Sequence, residues 1–257
     1  MLNYLYLTGD CHGKFDKLCL FKPQHPEQTG VILLGDTGAN YYKNWRDNQS
    51  KAILNSRSYK IYLIRGNHED RPENISTMKM ILDEDLMNPV YVEDDFPNIR
   101  YLIDGLSYTY KDKKILVLGG AYSVDKYYRL QQGWSWFEDE QLSEDERNNI
   151  FKSIKGQSFD FVLSHTCPYE FQPTELFLSV VDQSTVDNSM EHWLDDVKNN
   201  IDYKFWIFGH YHDDMIIRPN VFMLFHKIID IDAIDTCDGI NTEIPEDMKK
   251  SKYFSYC

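Results

Sequence analysis

The sequence predicts an α/β protein with two β-sheets flanked by helices. Five short apolar runs have the length of buried strands, at residues 5–8, 31–34, 61–64, 161–164 and 205–208. Helix-forming stretches lie between them, which gives the alternation of strand and helix typical of α/β proteins. Apolar and polar residues alternate over 90–110, and this change of pattern predicts antiparallel strands at the start of a second sheet.

Length and composition limit the class of protein. The chain has 257 residues, 42% of them hydrophobic, so we predict one domain over residues 1–257 with a sizeable core. The formal net charge of -14 argues against broad nucleic-acid binding, although a local basic pocket could still hold a phosphorylated ligand. Five cysteines without a C-x-x-C pair predict free thiols in a reducing compartment.

No membrane segment is predicted. Residues 1–8 lack a basic leader, and no apolar run approaches the ~18 residues of a membrane span. We therefore expect a cytoplasmic protein without a membrane partner. The sequence does not predict the oligomeric state.

The first three apolar runs each end at a glycine that leads into residues able to bind metals or carry protons. These residues are Asp10 and His12, then Asp36, then Asn67 and His68. Runs without polar alternation are typical of interior strands, and open α/β sheets bind ligands beyond the carboxyl ends of their strands. A helix predicted over 45–57 connects the second strand to the third.

The middle of the chain is predicted to contain a helix and several strands. Apolar residues recur at helical spacing over 75–86, which predicts a helix with its methionines in the core. The alternation over 90–110 predicts antiparallel strands or a hairpin near residues 104–105. Residues 114–118 predict a buried strand, and the glycines at 119–120 allow the backbone to approach something closely.

Residues 123–137 hold Lys126, Arg129 and several aromatic residues without clear periodicity. Two interpretations stay open: a lid, or an ordered loop whose aromatic side chains pack on the body of the protein. The acidic run at 143–146 matches a capping box, so it predicts the start of a helix and not a metal site.

The fourth and fifth apolar runs end at histidines. His165 follows the fourth, and His210 and His212 follow the fifth, after a helix predicted over 189–199. The five runs together supply a mixed oxygen and nitrogen set, which suits transition metals better than calcium. Seven ligands are too many for one closed zinc site, but they suit two cations that share a bridging carboxylate. One or two closing strands over 221–231 and a polar tail over 232–257 complete the chain.

As a set, these motifs resemble those of the calcineurin-like metallophosphoesterase superfamily. The family pattern G-D-x-H, G-D, G-N-H-E, a single histidine and G-H-x-H is present at 9–12, 35–36, 66–69, 165 and 209–212. The resemblance implies a four-layer sandwich of two mixed sheets flanked by helices. It also implies seven metal ligands: Asp10, His12 and His212 for the first metal, Asn67, His165 and His210 for the second, and Asp36 as the bridge.

The activity that the resemblance implies is hydrolysis of a phosphate mono- or diester by a dinuclear metal centre. The substrate would be a nucleotide or another small phosphorylated compound, attacked by a hydroxide held between the metals. His68 would act as general acid and not as a ligand, since imidazole titrates near neutrality. Glu69 or Asp70 would orient it. Manganese is the expected metal, with iron, zinc, nickel or cobalt as alternatives.

One motif departs from a branch of the superfamily. Phosphoprotein phosphatases extend the second motif to G-D-x-V-D-R-G, whereas residues 35–41 read G-D-T-G-A-N-Y and lack that arginine. Lys126 and Arg129 are our candidates for the missing positive charge, with Tyr122 beside them as a substrate contact. The alternative is that both cations lie on the surface.

Two other functions stay open at this point. One is a protein Ser/Thr phosphatase, and the other is a non-catalytic metal-binding interaction scaffold of the same fold. Scaffolds of that kind typically lose ligands or the acid histidine, and this chain retains all of them.

Overall fold

The computed structural model describes residues 1–235. In this range the chain forms thirteen strands: β1 (Tyr4–Thr8), β2 (Thr29–Leu33), β3 (Lys60–Leu63), β4 (Met78–Asp83), β5 (Asn88–Glu93), β6 (Ile99–Leu102), β7 (Ser107–Tyr110), β8 (Lys113–Leu118), β9 (Ser158–Ser164), β10 (Asp202–Phe208), β11 (Met215–Arg218), β12 (Val221–Met223) and β13 (Ile229–Asp230). The same range has six α-helices: α1 (Asp16–Leu20), α2 (Trp45–Asn55), α3 (Lys126–Gln132), α4 (Glu144–Ile154), α5 (Ser189–Asn200) and α6 (Ile231–Asp235).

The strands form two mixed sheets. The first has the order β13-β1-β2-β3-β6-β5-β4, with β1, β2, β3 and β6 parallel to one another. The second has the order β11-β12-β10-β9-β8-β7, with β12, β10, β9 and β8 parallel. The predicted architecture of two mixed sheets flanked by helices is therefore confirmed.

Each sheet is apolar on both faces, because one face packs on the other sheet and the opposite face packs on helices. On β2, Ile32 belongs to the core between the sheets, whereas Leu33 belongs to the cluster that includes Leu54 of α2. On β9, Leu163 lies between the sheets and Val162 packs with Leu194 of α5. Successive side chains of a strand point to opposite faces, so burial on both sides requires unbroken apolar runs.

The register brings the strand ends to one edge of the sandwich. Thr8 at the end of β1 pairs with Leu33 at the end of β2, and Leu33 pairs with Leu63 at the end of β3. In the second sheet, Ser164 of β9 pairs with Phe208 of β10. Each predicted ligand follows one of these five ends by only a few residues, so parallel pairing places the ligands together.

The helix predicted over 75–86 is wrong. Met78–Asp83 forms the strand β4 at the edge of the first sheet, where it pairs antiparallel with β5. Its apolar side chains are not core, since Met80 is 55% and Leu82 is 63% exposed. The spacing of these residues fits a helix, but hydrogen bonding to β5 decides the conformation.

The hairpin predicted near residues 104–105 is also wrong, although the antiparallel strands in this region are present. The second sheet begins only at β7, because β5 and β6 belong to the first sheet. β6 and β7 belong to different sheets, so the chain crosses between sheets at Gly105. A hairpin forms one strand later, where Tyr110 of β7 pairs with Lys113 of β8.

The other predicted elements are confirmed with small shifts at their ends. The capping box is present at α4, where the Ser143 side chain accepts from the backbone N–H of Glu146 and the Glu146 side chain accepts in return. Cys11, Cys19 and Cys167 are free thiols, and the other two cysteines lie outside the described residues. The closing strands are β12 and β13, and the predicted tail from residue 236 onward is also outside that range. Among the described residues, no helix is long and apolar enough to cross a membrane.

Candidate metal centre

The eight predicted site residues lie together at the carboxyl edge of both sheets. Their donor atoms form three overlapping groups in which all members lie within 4.8 Å of one another: Asp10 with His12 and His212, His12 with Asp36 and His68, and Asp36 with His165 and His210. Asn67 joins the third group, because its Oδ1 lies 2.9 Å from His165 Nε2. The sequence placed these residues on five strand ends, and the structure brings all five ends to one cluster.

One carboxylate oxygen of Asp10 accepts a hydrogen bond and the other does not. Its Oδ1 accepts the backbone N–H of His210 at 3.0 Å. Its Oδ2 is buried without a hydrogen bond, and His212 Nε2 lies 3.2 Å away. Burial alone would raise the pKa of Asp10, but the imidazoles of His12 and His212 hold it well below its usual range. This side chain therefore offers an ionised oxygen to the cluster.

Asp36 faces both halves of the cluster. Its Oδ2 lies 3.9 Å from His12 Nε2, and its Oδ1 lies 3.5 Å from His165 Nε2. The backbone N–H of His68 donates to Oδ1 at 2.8 Å and fixes the carboxylate in this orientation. Although burial raises the pKa of Asp36, the surrounding histidines hold it far below its usual range.

His165 is fully buried and has an oxygen at each ring nitrogen. Nδ1 lies 2.6 Å from the carbonyl oxygen of Leu34, and Nε2 faces Asn67 and Asp36. Burial opposes protonation, but the charge of Asp36 raises the pKa of His165 to about 9. Burial lowers the pKa of His210 to about 3, and the neighbouring His165 adds to this effect. A cation can replace the proton on His165 Nε2 while Nδ1–H donates to Leu34, the usual outer partner of a metal-bound histidine.

The backbone at the cluster is strained. Four of the predicted ligands have positive φ angles that side-chain-bearing residues rarely adopt: His12 at 47°, Asp36 at 44°, His210 at 70° and His212 at 58°. Such conformations cost on the order of 1–3 kcal/mol each and concentrate at functional sites. Four of the seven non-glycine residues with positive φ in the described part of the chain belong to this cluster, and this concentration supports a function at this edge.

The motif glycines leave room for the ligands of neighbouring motifs. A Cβ on Gly66 would lie 2.0 Å from Asp36 Oδ1 and 2.2 Å from the Asp36 backbone nitrogen. A Cβ on Gly35 would lie 2.1 Å from His165 Nδ1, and Gly35 also has a φ of 101°. Glycine is required at both positions because strand ends from different motifs meet there.

We therefore expect Gly66→Ala to weaken metal binding and to lower the free energy of unfolding by ~1–3 kcal/mol, the usual cost of overpacking. Chemical denaturation and Mn²⁺ titration measure the two effects. Gly133→Ala is the control: no atom lies within 4 Å of its Cβ, so only its φ of 68° opposes alanine and metal binding should be unchanged. If Gly66→Ala bound Mn²⁺ as the wild type does, the close approach would have no role at the site.

The neighbours of His68 differ from those expected. Glu69 is buried and accepts the backbone N–H groups of Thr37 and Gly38, and Asp70 pairs with Lys43 at 2.7 Å. The prediction that Glu69 or Asp70 orients His68 is therefore not supported. Asp125, in the segment 123–137, places Oδ1 3.9 Å from His68 Nε2. The ring of Tyr41 stacks on His68 with centroids 6.1 Å apart.

The segment 123–137 combines features of both earlier interpretations. It is ordered as the short helix α3, yet Tyr127 is 71% and Trp134 is 54% exposed. Arg129 is fully buried, so it is not a surface cation. Lys126 Nζ lies 3.9 Å over the ring of Trp136. Tyr122 is half-buried, and its contact with a substrate remains a prediction, as do those of Lys126 and Arg129.

Three residues near the site were missed by the sequence analysis as functional candidates. Ser123 lies at the end of the loop after β8 and contacts Asn67; Glu140 contacts Ser123; and Asp125 lies near His68. The paired glycines before Ser123 were the only signal that this loop approaches another part of the chain.

The donor set fits divalent metal ions. A buried carboxylate oxygen without a hydrogen bond, five imidazoles and an amide oxygen converge, and His12 Nε2 lies only 2.8 Å from His212 Nε2. Buried polar atoms are normally hydrogen-bonded, so an Asp10 oxygen without a hydrogen bond is consistent with a metal ligand. Such mixed nitrogen and oxygen sets suit Mn, Fe, Zn, Ni or Co.

A sandwich of two mixed sheets with such a cluster at its carboxyl edge defines a metal-binding α/β protein of the phosphoesterase type. The chain belongs to the calcineurin-like phosphoesterase family, whose model matches residues 4–214. This family uses divalent metal ions, and the groups described above could hold them.

Among solved structures, the chain is similar to the phosphopantetheinyl hydrolase (PptH) from Mycobacterium tuberculosis. The two share 12% sequence identity with a TM-score of 0.45, over 86% of this chain and 88% of the other. No curated protein matches the chain significantly in sequence.

Proposed function

We propose that the protein is a dinuclear-metal phosphoesterase acting on a small phosphorylated compound, a phosphate mono- or diester such as a nucleotide. The observation that carries the proposal is the position of Asp36, whose two oxygens face His12 on one side and His165 on the other. A carboxylate in this position is suited to bridge two cations. Manganese is the proposed metal, with iron, zinc, nickel and cobalt as alternatives.

The residues divide into two sets around Asp36. Asp10, His12 and His212 would hold the first metal, and Asn67, His165 and His210 the second. The chemistry supplied by two bound cations is activation of water and stabilisation of the negative charge on the phosphoryl group. No protein nucleophile is then required.

His68 is the proposed general acid for the leaving oxygen. In the free protein, burial lowers the pKa of His68 to about 4 although the charge of Asp36 opposes this shift, so the ring is neutral at pH 7. A bound phosphate dianion favours the imidazolium, because an opposite charge nearby raises the pKa of a histidine.

The shape of the cluster indicates where substrate enters. His165 is fully buried, whereas the side chains of His68 and His212 are 25% and 46% exposed. The open side therefore carries His68 and His212, and a phosphoester approaching from there would reach these two together with His12, whose side chain is 19% exposed. The absence of the G-D-x-V-D-R-G arginine favours a small substrate over a phosphoprotein.

A substrate panel tests the proposal. Metal-free protein is reconstituted with Mn²⁺ and assayed for release of phosphate or alcohol from mononucleotides, cyclic nucleotides, dinucleotides, nitrophenyl esters and phosphopeptides. We expect turnover of at least one small phosphoester. Turnover of phosphopeptides alone would favour a protein phosphatase, and no turnover of any ester would favour a metal-binding interaction scaffold.

A further inference from the structure

An asparagine can ligate a metal through only one of its two terminal atoms. The amide oxygen has lone pairs, whereas the amide nitrogen carries two protons and does not ligate. The two atoms have almost the same shape, so packing does not decide which of them faces the cluster. At Asn67 the orientation must come from hydrogen bonds.

Ser123 supplies the deciding bond. Asn67 Nδ2 donates to Ser123 Oγ at 2.9 Å, which turns Oδ1 toward His165. Ser123 is buried, with 1% of its surface exposed. A hydroxyl could accept a proton from Nδ2 or donate its own to Oδ1, so Ser123 itself must be restricted to accepting.

Glu140 and Arg129 impose this restriction. The Ser123 hydroxyl donates its single proton to Glu140 Oε2 at 2.5 Å, and the Ser123 backbone N–H donates to Oε1 at 2.9 Å. Arg129 Nη1 donates to Ser123 Oγ at 2.9 Å. With its proton committed to Glu140, the oxygen presents only lone pairs to Asn67 and Arg129.

All three side chains are almost completely inaccessible to solvent. Glu140 is 3% exposed and Arg129 is 0% exposed. The backbone carbonyl of Ser135 accepts from Arg129 Nη2, and Asp125 Oδ1 lies 3.7 Å from Nη1. Because Arg129 is enclosed and its two Nη atoms are already hydrogen-bonded, it is better placed to hold Ser123 than to bind a phosphate.

We propose that Ser123, Glu140 and Arg129 form an amide-orienting cluster that fixes Asn67 with Oδ1 toward the metal centre, and that this cluster sets the affinity for the metal held by Asn67, His165 and His210. The three act as positioning residues. The inference rests on the proposed metal centre, and it gives the G-G-A-Y-S loop at 119–123 a function.

A double-mutant cycle with Mn²⁺ as the probe tests the proposal. Metal-free protein is titrated with Mn²⁺ while free Mn²⁺ is followed by electron paramagnetic resonance, so no turnover is needed. Ser123→Ala is expected to weaken one of the two binding steps by ~10–100-fold, the usual effect of removing an outer partner of a ligand. The other step should remain within about 3-fold of the wild type, because outer-partner effects act on their own ligand.

The second arm uses Asn67→Asp, whose two oxygens are equivalent and need no orientation. In that background, Ser123→Ala should cause no comparable loss. An equal loss in both backgrounds would mean that Ser123 is merely structural and would overturn the proposal. Thr29→Val is the matched control, since it removes a buried hydroxyl that donates to the carbonyl of His25 at 2.8 Å and should leave both steps unchanged.

An isosteric pair covers the case in which Ser123→Ala does not fold. Threonine and valine have the same shape, but only threonine retains a hydroxyl. The proposal therefore requires that Ser123→Thr bind the metal held by Asn67, His165 and His210 more tightly than Ser123→Val does. Equal binding in the two would overturn it. Two tight Mn²⁺ steps unaffected by any of these changes would remove this inference alone, whereas a wild-type protein that binds no Mn²⁺ would remove the metal centre as well.

Discussion

Replacing His68 by alanine is expected to lower kcat by roughly 10²- to 10⁴-fold, the usual contribution of a general acid or base. His68 is assigned to proton transfer, so fold and metal content should survive. The loss should be largest for esters with poor, alkoxide-like leaving groups, which need a proton. Nitrophenyl esters should lose less, because their leaving group is stable as an anion.

Distances alone do not show whether His68 is a general acid or a metal ligand. A ring nitrogen of His68 belongs to a group with His12 and Asp36 whose donor atoms lie within 4.8 Å of one another. His192→Ala is the control, since His192 stacks on Tyr169 with centroids 4.2 Å apart and lies outside the predicted site. Loss of a metal from His68→Ala, or an equal slowing of both ester types, would show that His68 is a ligand or a structural residue.

Replacing Asp36 by asparagine is expected to weaken both metal positions at once. The amide retains an acceptor for the His68 backbone N–H, so the loop can keep its conformation, but it offers a single neutral oxygen in place of two charged ones. The loss of affinity should exceed the ~10–100-fold caused by changes to outer partners, because a bridging ligand itself is altered. Elemental analysis and Mn²⁺ titration measure the effect.

A second buried aspartate serves as the control. It shows whether a loss of metal comes from the position of Asp36 or from the removal of a buried carboxylate in general. Asp83 is also buried and accepts the backbone N–H groups of Asp85 and Leu86, but it lies on the edge strand β4. Asp83→Asn should lower stability without lowering metal content. Full retention of two metals by Asp36→Asn would contradict the bridging assignment.

The amide-orienting cluster could not be predicted from the sequence. Arg129 was singled out as a cation for substrate, yet in the structure it is buried and bonded to Ser123. No motif in the sequence points to Ser123 or Glu140 as site residues. Serine and glutamate are common in loops, and only their contacts with Asn67 and with each other distinguish these two from the rest.

The fold class and the candidate metal ligands could be predicted from the sequence because both depend on local patterns. Strands buried on both faces must be continuous apolar runs, and a metal centre must draw its donors from a few residue types at the ends of such runs. Asp10, Asp36 and His165 could be selected on those grounds without knowledge of which strand pairs with which.

Tertiary structure decided the features that depend on partners distant in sequence. Residues 78–83 have helical spacing, but pairing with β5 makes them an edge strand. Whether Asp36 faces one set of histidines or two depends on how the two sheets pack, because β2, which precedes Asp36, and β9, which precedes His165, belong to different sheets and lie more than a hundred residues apart in sequence. Hydrogen bonds between separate loops also fix which atom of Asn67 faces His165, and no local preference of the chain encodes such bonds.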